Sequence, residues 1–197
     1  QKYRRCASSG TASNMGSTGS FFSKRRIVEF YDFVRARPVG NPIESGAVQR
    51  NTINWVVPPW GFGSGGHLNI FRFVYYLEQE GFDCRIVVVG EPQPLSTEQA
   101  RKQINDWFFP LRGEVFLGIG SAPPAHITIA TSWITAYYVR AFQSTVHRCY
   151  FVQDFEPYFF SVGAEYAWAE ETYRFGFFGI TAGTWLKEKL AAEYGMV

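Results

Sequence analysis

Long apolar runs are missing from this 197-residue chain. No stretch of about eighteen apolar residues occurs, so a membrane-spanning helix is not expected. Cysteine is scarce: Cys6, Cys84 and Cys149 lie far apart and form no CxxC pair. That argues against a disulfide scaffold or a structural zinc site and makes a reducing compartment the default. The three histidines, His67, His126 and His147, share no metal-ligand spacing, so no metal is expected and His126 and His147 read as structural. Charge of one sign is lacking too. A formal net charge of +2, with the basic excess mainly before residue 51, gives no footprint for nucleic acid. The polar N-terminus has no apolar middle of the signal-peptide kind. It begins with Gln rather than Met, and the chain reads as a piece of something longer.

Aromatic residues are abundant, at 18% of the chain, so much of the buried surface must be aromatic. The stretch from Thr52 to Val89 organises the rest. An apolar run (Ile53, Trp55, Val56, Val57) is followed by Pro58-Pro59-Trp60, then by Gly61-Phe62-Gly63-Ser64-Gly65-Gly66-His67. Leu68, Phe71, Val74, Tyr75 and Leu77 then recur at helical intervals, with Gly81 where a C-cap belongs. The β-branched run Ile86 to Val89 suits a strand buried on both faces. Strand, glycine loop, helix and strand make a βαβ unit, whose right-handed crossover places the loop at the carboxyl edge of a parallel sheet.

The remaining chain continues the alternation. Residues 1–20, rich in Ser, Gly and Thr, read as a flexible lead-in. Residues 21–50 form an extension: a helix from Phe21 to Arg35, with Lys24, Arg25 and Arg26 off its apolar face, and then a loop. Such a basic amphipathic helix either packs on a domain or lies on an anionic membrane surface. Beyond the first unit, Ser96-Thr97-Glu98-Gln99 caps a helix to about Trp107. Strands are expected at Val115–Ile119, Ile127–Ala130, Arg148–Val152 and Gly179–Thr181, and helices at Trp133–Phe142, Glu165–Phe175 and Trp185–Tyr194. This pattern predicts an α/β fold with a doubly wound, mostly parallel sheet over residues 51–197.

Gly61, Gly63 and Gly66 satisfy G-x-G-x-x-G between a strand and a helix, the setting of a dinucleotide fingerprint. Pro58-Pro59 lengthens that junction, however, and the nearest acid after the second strand, Glu91, is about 25 residues past the last glycine. Three readings stay open: a structural turn, a dinucleotide site of an oxidoreductase, and a backbone cradle for a sugar or phosphate-bearing substrate. His67 beside the loop is a candidate acid, base or hydroxyl ligand. Asp154 and Glu156, two residues apart after the fifth strand, would point the same way in an extended segment. They suit hydroxyl binding or acid–base work as well as capping. Thr131-Ser132 and Thr181 hold matching positions after other strands, where N-capping is the simpler role.

Three segments together resemble the N-terminal domain of rhamnosyltransferases of the rhamnan and O-antigen type, in family 4 of the retaining glycosyltransferases. They are Pro58 to His67 with its helix, Tyr150-Phe151-Val152-Gln153-Asp154-Phe155-Glu156-Pro157-Tyr158-Phe159, and Glu165 through Tyr173-Arg174-Phe175-Gly176 to Gly179-Ile180-Thr181-Ala182-Gly183-Thr184-Trp185-Leu186. The resemblance implies one Rossmann-like half of a GT-B architecture, the acceptor side. The donor half, which would hold the nucleotide sugar (dTDP-L-rhamnose on this resemblance), lies outside the sequence. It implies a glycan acceptor, no cofactor, a cytoplasmic location at the inner face of a membrane, and no transfer by this chain alone. Carried onto this sequence, the cleft residues are Gly63, Ser64, Gly65 and Gly66, with His67 and Asp154 in catalytic roles, and Glu156, Thr181 and Thr184 as substrate contacts.

Overall fold

The computed structural model describes residues 29–91 and 96–197. The expected lead-in, most of the basic helix and the loop at 92–95 lie outside the described residues. The chain divides into two units, 1–32 and 33–197. In the described part of the first, the rings of Phe30 and Tyr31 meet edge to face at 4.9 Å.

The second unit holds one six-stranded sheet. Its strands are β1 (Thr52–Val57), β2 (Asp83–Val88), β3 (Val115–Leu117), β4 (Ala125–Ala130), β5 (Thr145–Val152) and β6 (Phe178–Thr181). Their order is β3-β2-β1-β4-β5-β6 and every named pairing is parallel. This is the doubly wound sheet that the alternation predicts, and the order is that of a Rossmann-like domain. Among the described residues five α-helices accompany it: α1 (Gly65–Gln79), α2 (Thr97–Trp107), α3 (Trp133–Ala141), α4 (Ala164–Glu171) and α5 (Thr184–Tyr194).

Alternation along the central strands sorts the core into two layers. Ile53, Trp55 and Val57 of β1 join Ile86 and Val88 of β2 and Cys149 and Phe151 of β5 on one face, under Ile70, Phe71 and Val74 of α1 and Ile104 of α2. Val56, Val87, Tyr150 and Val152 face the other way, onto Ala136 and Val139 of α3 and Leu186 and Leu190 of α5. Helix α4 packs outside α3, where the Tyr137 hydroxyl donates to the Trp168 carbonyl at 3.1 Å. Central strands buried on both faces explain why their sequences are continuous apolar runs.

Helix ends follow local chemistry. Ser96 accepts from the Gln99 amide at 3.1 Å. Ser132 and Thr135 form a reciprocal capping box at α3, which is the capping expected of Thr131-Ser132. Gly81, at φ 88°, closes α1, with the Phe82 amide donating to the Leu77 carbonyl at 3.0 Å, a left-handed stop that a Cβ would strain. The helix expected to run from Glu165 to Phe175 is α only to Glu171 and tightens to a 3-10 turn over Thr172–Arg174. Residues 33–51, before β1, belong to the second unit. The Val39 amide donates to the Ala141 carbonyl, and Phe33 packs against Trp133 and Tyr137. Among the described residues no helix is long and apolar enough to cross a membrane.

Candidate functional site

Because all six strands run the same way, their exits gather at one edge: the glycine loop after β1, Thr131-Ser132 after β4, Gln153–Phe159 after β5 and Ala182-Gly183 after β6. Open α/β sheets take their ligands at this edge.

Gly63 sits at φ 78°, a turn that an L side chain resists. Gly61 and Gly65 have ordinary φ and open space where a Cβ would stand. The fold does not need glycine there, and its effect is to leave the backbone uncovered beside the first amides of α1, which have no intrahelical acceptor. Ser64 is the N-cap residue, but its hydroxyl makes no cap bond. It contacts His67 Nδ1 at 2.8 Å, while His67 Nε2 lies 3.1 Å from the Pro58 carbonyl. A carbonyl only accepts, so Nε2 carries the proton and Nδ1 accepts from Ser64. The half-buried imidazole also forms a cluster with the rings of Trp60 and Phe71, at 6.2 and 6.1 Å. Burial depresses its pKa, opposed by the bond to Pro58. His67 is thus a brace across the loop in this conformation, with both ring nitrogens engaged.

The loop is tied to the β5 exit by a contact that sequence reasoning missed. Asn69 Nδ2 donates to Gln153 Oε1 at 3.0 Å, and Gln153 Nε2 donates to the Gly66 carbonyl at 3.3 Å. One side chain therefore joins the glycine loop to the segment carrying Asp154. Gln153 lies inside a quoted motif, but nothing in its spacing points to a partner 87 residues away.

The two acids beyond it part company. Asp154 is exposed and its Oδ1 accepts from the Phe155 amide at 2.7 Å. Glu156 is only 8% exposed. Its Oε1 accepts from the Tyr150 hydroxyl at 2.5 Å and its Oε2 from the Trp133 amide, the first of α3, at 2.9 Å. The Tyr173 hydroxyl approaches the Glu156 amide at 3.0 Å and accepts from it. Burial lifts the Glu156 carboxyl to about 7 despite the Tyr150 and Trp133 bonds, with Asp154 adding to the rise. The expectation that both acids point the same way fails because the chain does not stay extended: it turns into a 3-10 helix over Glu156–Phe159. Glu156 joins elements inside the protein, and of the two acids Asp154 alone is exposed.

At the β6 exit the half-buried Thr181 donates through Oγ1 to the Gly183 carbonyl at 3.3 Å rather than capping α5, and Thr184 is exposed. Thr181 pairs in register with Val152, beside the strand end from which Gln153 and Asp154 leave. The edge therefore offers backbone amides, the exposed Asp154 carboxylate and threonine hydroxyls.

Surface depressions also lie along β5–β6 and along α2–β3. One of about 560 Å³ is lined by Ile127, His147, Cys149 and Phe178, and one of about 210 Å³ by Thr97, Arg101 and Phe116. The His126 and His147 rings meet edge to face at 4.9 Å. Among the described residues no group of three His, Cys, Asp or Glu side chains is placed to hold a metal ion.

No known family's sequence profile matches the chain. The chain is similar to the O-antigen biosynthesis protein RfbC of Myxococcus xanthus, with 31% identity over 153 residues. The similarity covers 74% of this chain and 12% of that protein, so the chain spans about an eighth of its length. What the fold and the likeness establish together is a Rossmann-like α/β domain with weak homology to part of an O-antigen biosynthesis protein.

Proposed function

We propose that this chain is the acceptor-side half of a glycosyltransferase, whose parent moves L-rhamnose from a nucleotide sugar such as dTDP-L-rhamnose to a growing cell-surface glycan. The observation that carries this reading is the tie from Gln153 to Gly66 and Asn69. It ties the glycine loop to the segment that carries the exposed Asp154 at the carboxyl edge. Amides suit a phosphate or sugar oxygen brought in by a donor domain, and a carboxylate accepts from sugar hydroxyls. The homology to an O-antigen biosynthesis protein supports a saccharide as the substrate class. On this reading the domain covers residues 51–197, and the basic segment before it holds the enzyme at the cytoplasmic face of a membrane.

The test is transfer. The 197-residue chain incubated with donor and acceptor should give no product above background, whereas the longer parent should transfer. Asp154→Asn in the parent should lower the rate by roughly ten- to a thousand-fold, the scale for losing a positioning or acid–base group. Turnover by the isolated chain, or an unchanged rate for Asp154→Asn, would remove the proposal.

A dinucleotide site is the second reading, favoured by the strand order and by Gly61, Gly63 and Gly66 between β1 and α1. Against it, Pro59 Cδ lies 3.6 Å from where a Cβ on Gly90 would stand. The proline pair thus lies against the β2 exit, beside the acid that would take the ribose. Titrating NAD(H) and NADP(H) by tryptophan fluorescence decides: micromolar binding would establish this reading and its absence would end it.

A further inference from the structure

We infer that the β6 end of the carboxyl edge carries a second carbohydrate subsite, built from Tyr158, Trp185 and the Lys189–Glu193 pair, which grips a ring of an oligosaccharide beyond the one held at Asp154. The inference rests on the reading of this edge as a glycan acceptor side.

Trp185, Lys189 and Glu193 stand four residues apart on α5, so they form one stripe up the helix. That stripe borders the 3-10 turn after β5. Lys189 Nζ lies 4.4 Å from the Phe155 ring centroid and 5.9 Å from that of Tyr158, and Tyr158 stands edge to face with Phe155 at 4.7 Å. Glu193 holds the ammonium at 2.8 and 2.7 Å through its two oxygens. Tyr158 is 64% exposed and Trp185 58%. The core of this unit is filled by other rings, so the fold does not require these two in water, and exposed aromatics grouped around a polar pair mark a binding surface.

The chemistry of the group selects its ligand. A pyranose has a C–H face that packs on an aromatic ring and a rim of hydroxyls that need both donors and acceptors. Lys189 and Glu193 supply one of each. A lipid surface or an apolar peptide would strip water from that ion pair without replacing its hydrogen bonds, at a desolvation cost. Sugar hydroxyls replace the water bond for bond. The pair is neutral overall, so it gives no preference for a polyanion. Three strand spacings, about 14 Å, separate the glycine loop at β1 from β6, with Asp154 between them. A single ring does not span that edge, whereas a linear oligosaccharide lying along it touches all three places.

The experiment uses the 197-residue chain, titrated calorimetrically with methyl α-L-rhamnoside and with a linear rhamnose trisaccharide. The trisaccharide should bind about ten-fold tighter than the single ring, the gain expected from one stacked ring. Trp185→Ala and Tyr158→Ala should each remove most of that gain with the chain still folded by circular dichroism, while Asp154→Asn should weaken both sugars. Equal binding of the two sugars, or full trisaccharide affinity in both aromatic variants while Asp154→Asn still weakens binding, would overturn the subsite and leave the acceptor reading standing. Sedimentation showing a dimer that Trp185→Ala dissociates, with sugar affinity untouched, would assign the patch to a second copy and overturn it as well. Failure of the unaltered chain to bind either sugar would remove the acceptor reading and this one with it.

Discussion

Glu156 and His67 put opposite slopes into the pH dependence of stability. Glu156 is buried with its carboxyl raised to about 7, so the folded chain holds a proton that the unfolded chain releases near 4.5. Its stabilisation is complete below about pH 4.5 and is lost as pH rises towards 7, a change on the order of 3 kcal/mol. Glu156→Gln should abolish that decline, read from urea midpoints at pH 5 and pH 7.5. His67 is shifted the other way, because burial lowers its pKa. Its contribution is present above about pH 6.5, the unfolded value, and is lost as pH falls through the folded value. His67→Ala should cost about 1–2 kcal/mol at neutral pH for the two lost hydrogen bonds, and should remove the loss on the acid side. If the variant leaves urea midpoints unchanged at every pH, His67 does not brace the loop.

At the scale of elements, α1 is fastened at both ends. Near its C-terminus Glu78 accepts from the Arg112 and Gly113 amides at 2.9 and 2.8 Å, fixing the approach to β3. At its N-terminus Gln153 and Asn69 clamp the first turn to the β5 exit. Removing the second clamp should free the glycine loop without unfolding the helix. In Gln153→Ala, exchange of the Leu68 and Asn69 amides, the first with helical acceptors, should speed up at least about five-fold, the equivalent of one of the two hydrogen bonds lost, with α3 unaffected. Uniform acceleration across both helices would mean that the bond stabilises the whole domain rather than positioning the loop.

For the whole molecule, the test is whether the two halves of the sheet, β3-β2-β1 and β4-β5-β6, fold as one unit. Cys84 in β2 and Cys149 in β5 share a core layer, and burial lifts their thiols to about 12 and about 11. With the thiolates suppressed and both residues buried, neither should react readily with a bulky thiol reagent until the sheet opens. In a Cys6→Ser background, both should be modified at one common rate that tracks global unfolding with urea. Earlier labelling of Cys149 would show that the β5–β6 side opens separately.

The order of elements was legible in the residues because each strand carries its own apolar run and each helix its own spacing and caps. The parallel crossovers then deliver the exits to one edge whatever the loops contain. Side-chain roles at that edge were not legible. Alternation predicts a common direction for Asp154 and Glu156 only while the chain stays extended, and a 3-10 turn ends that condition one residue too early. His67 looks free beside a glycine loop until folding brings Pro58 and Ser64 to its two nitrogens. Gln153 finds Gly66, and Lys189 finds Phe155 and Tyr158, through contacts that no local period encodes. Local sequence therefore determined the scaffold and the edge where a ligand belongs. Only tertiary structure decided which polar groups at that edge are spent within the protein, because hydrogen bonds between distant segments are settled by where the packed elements come to rest.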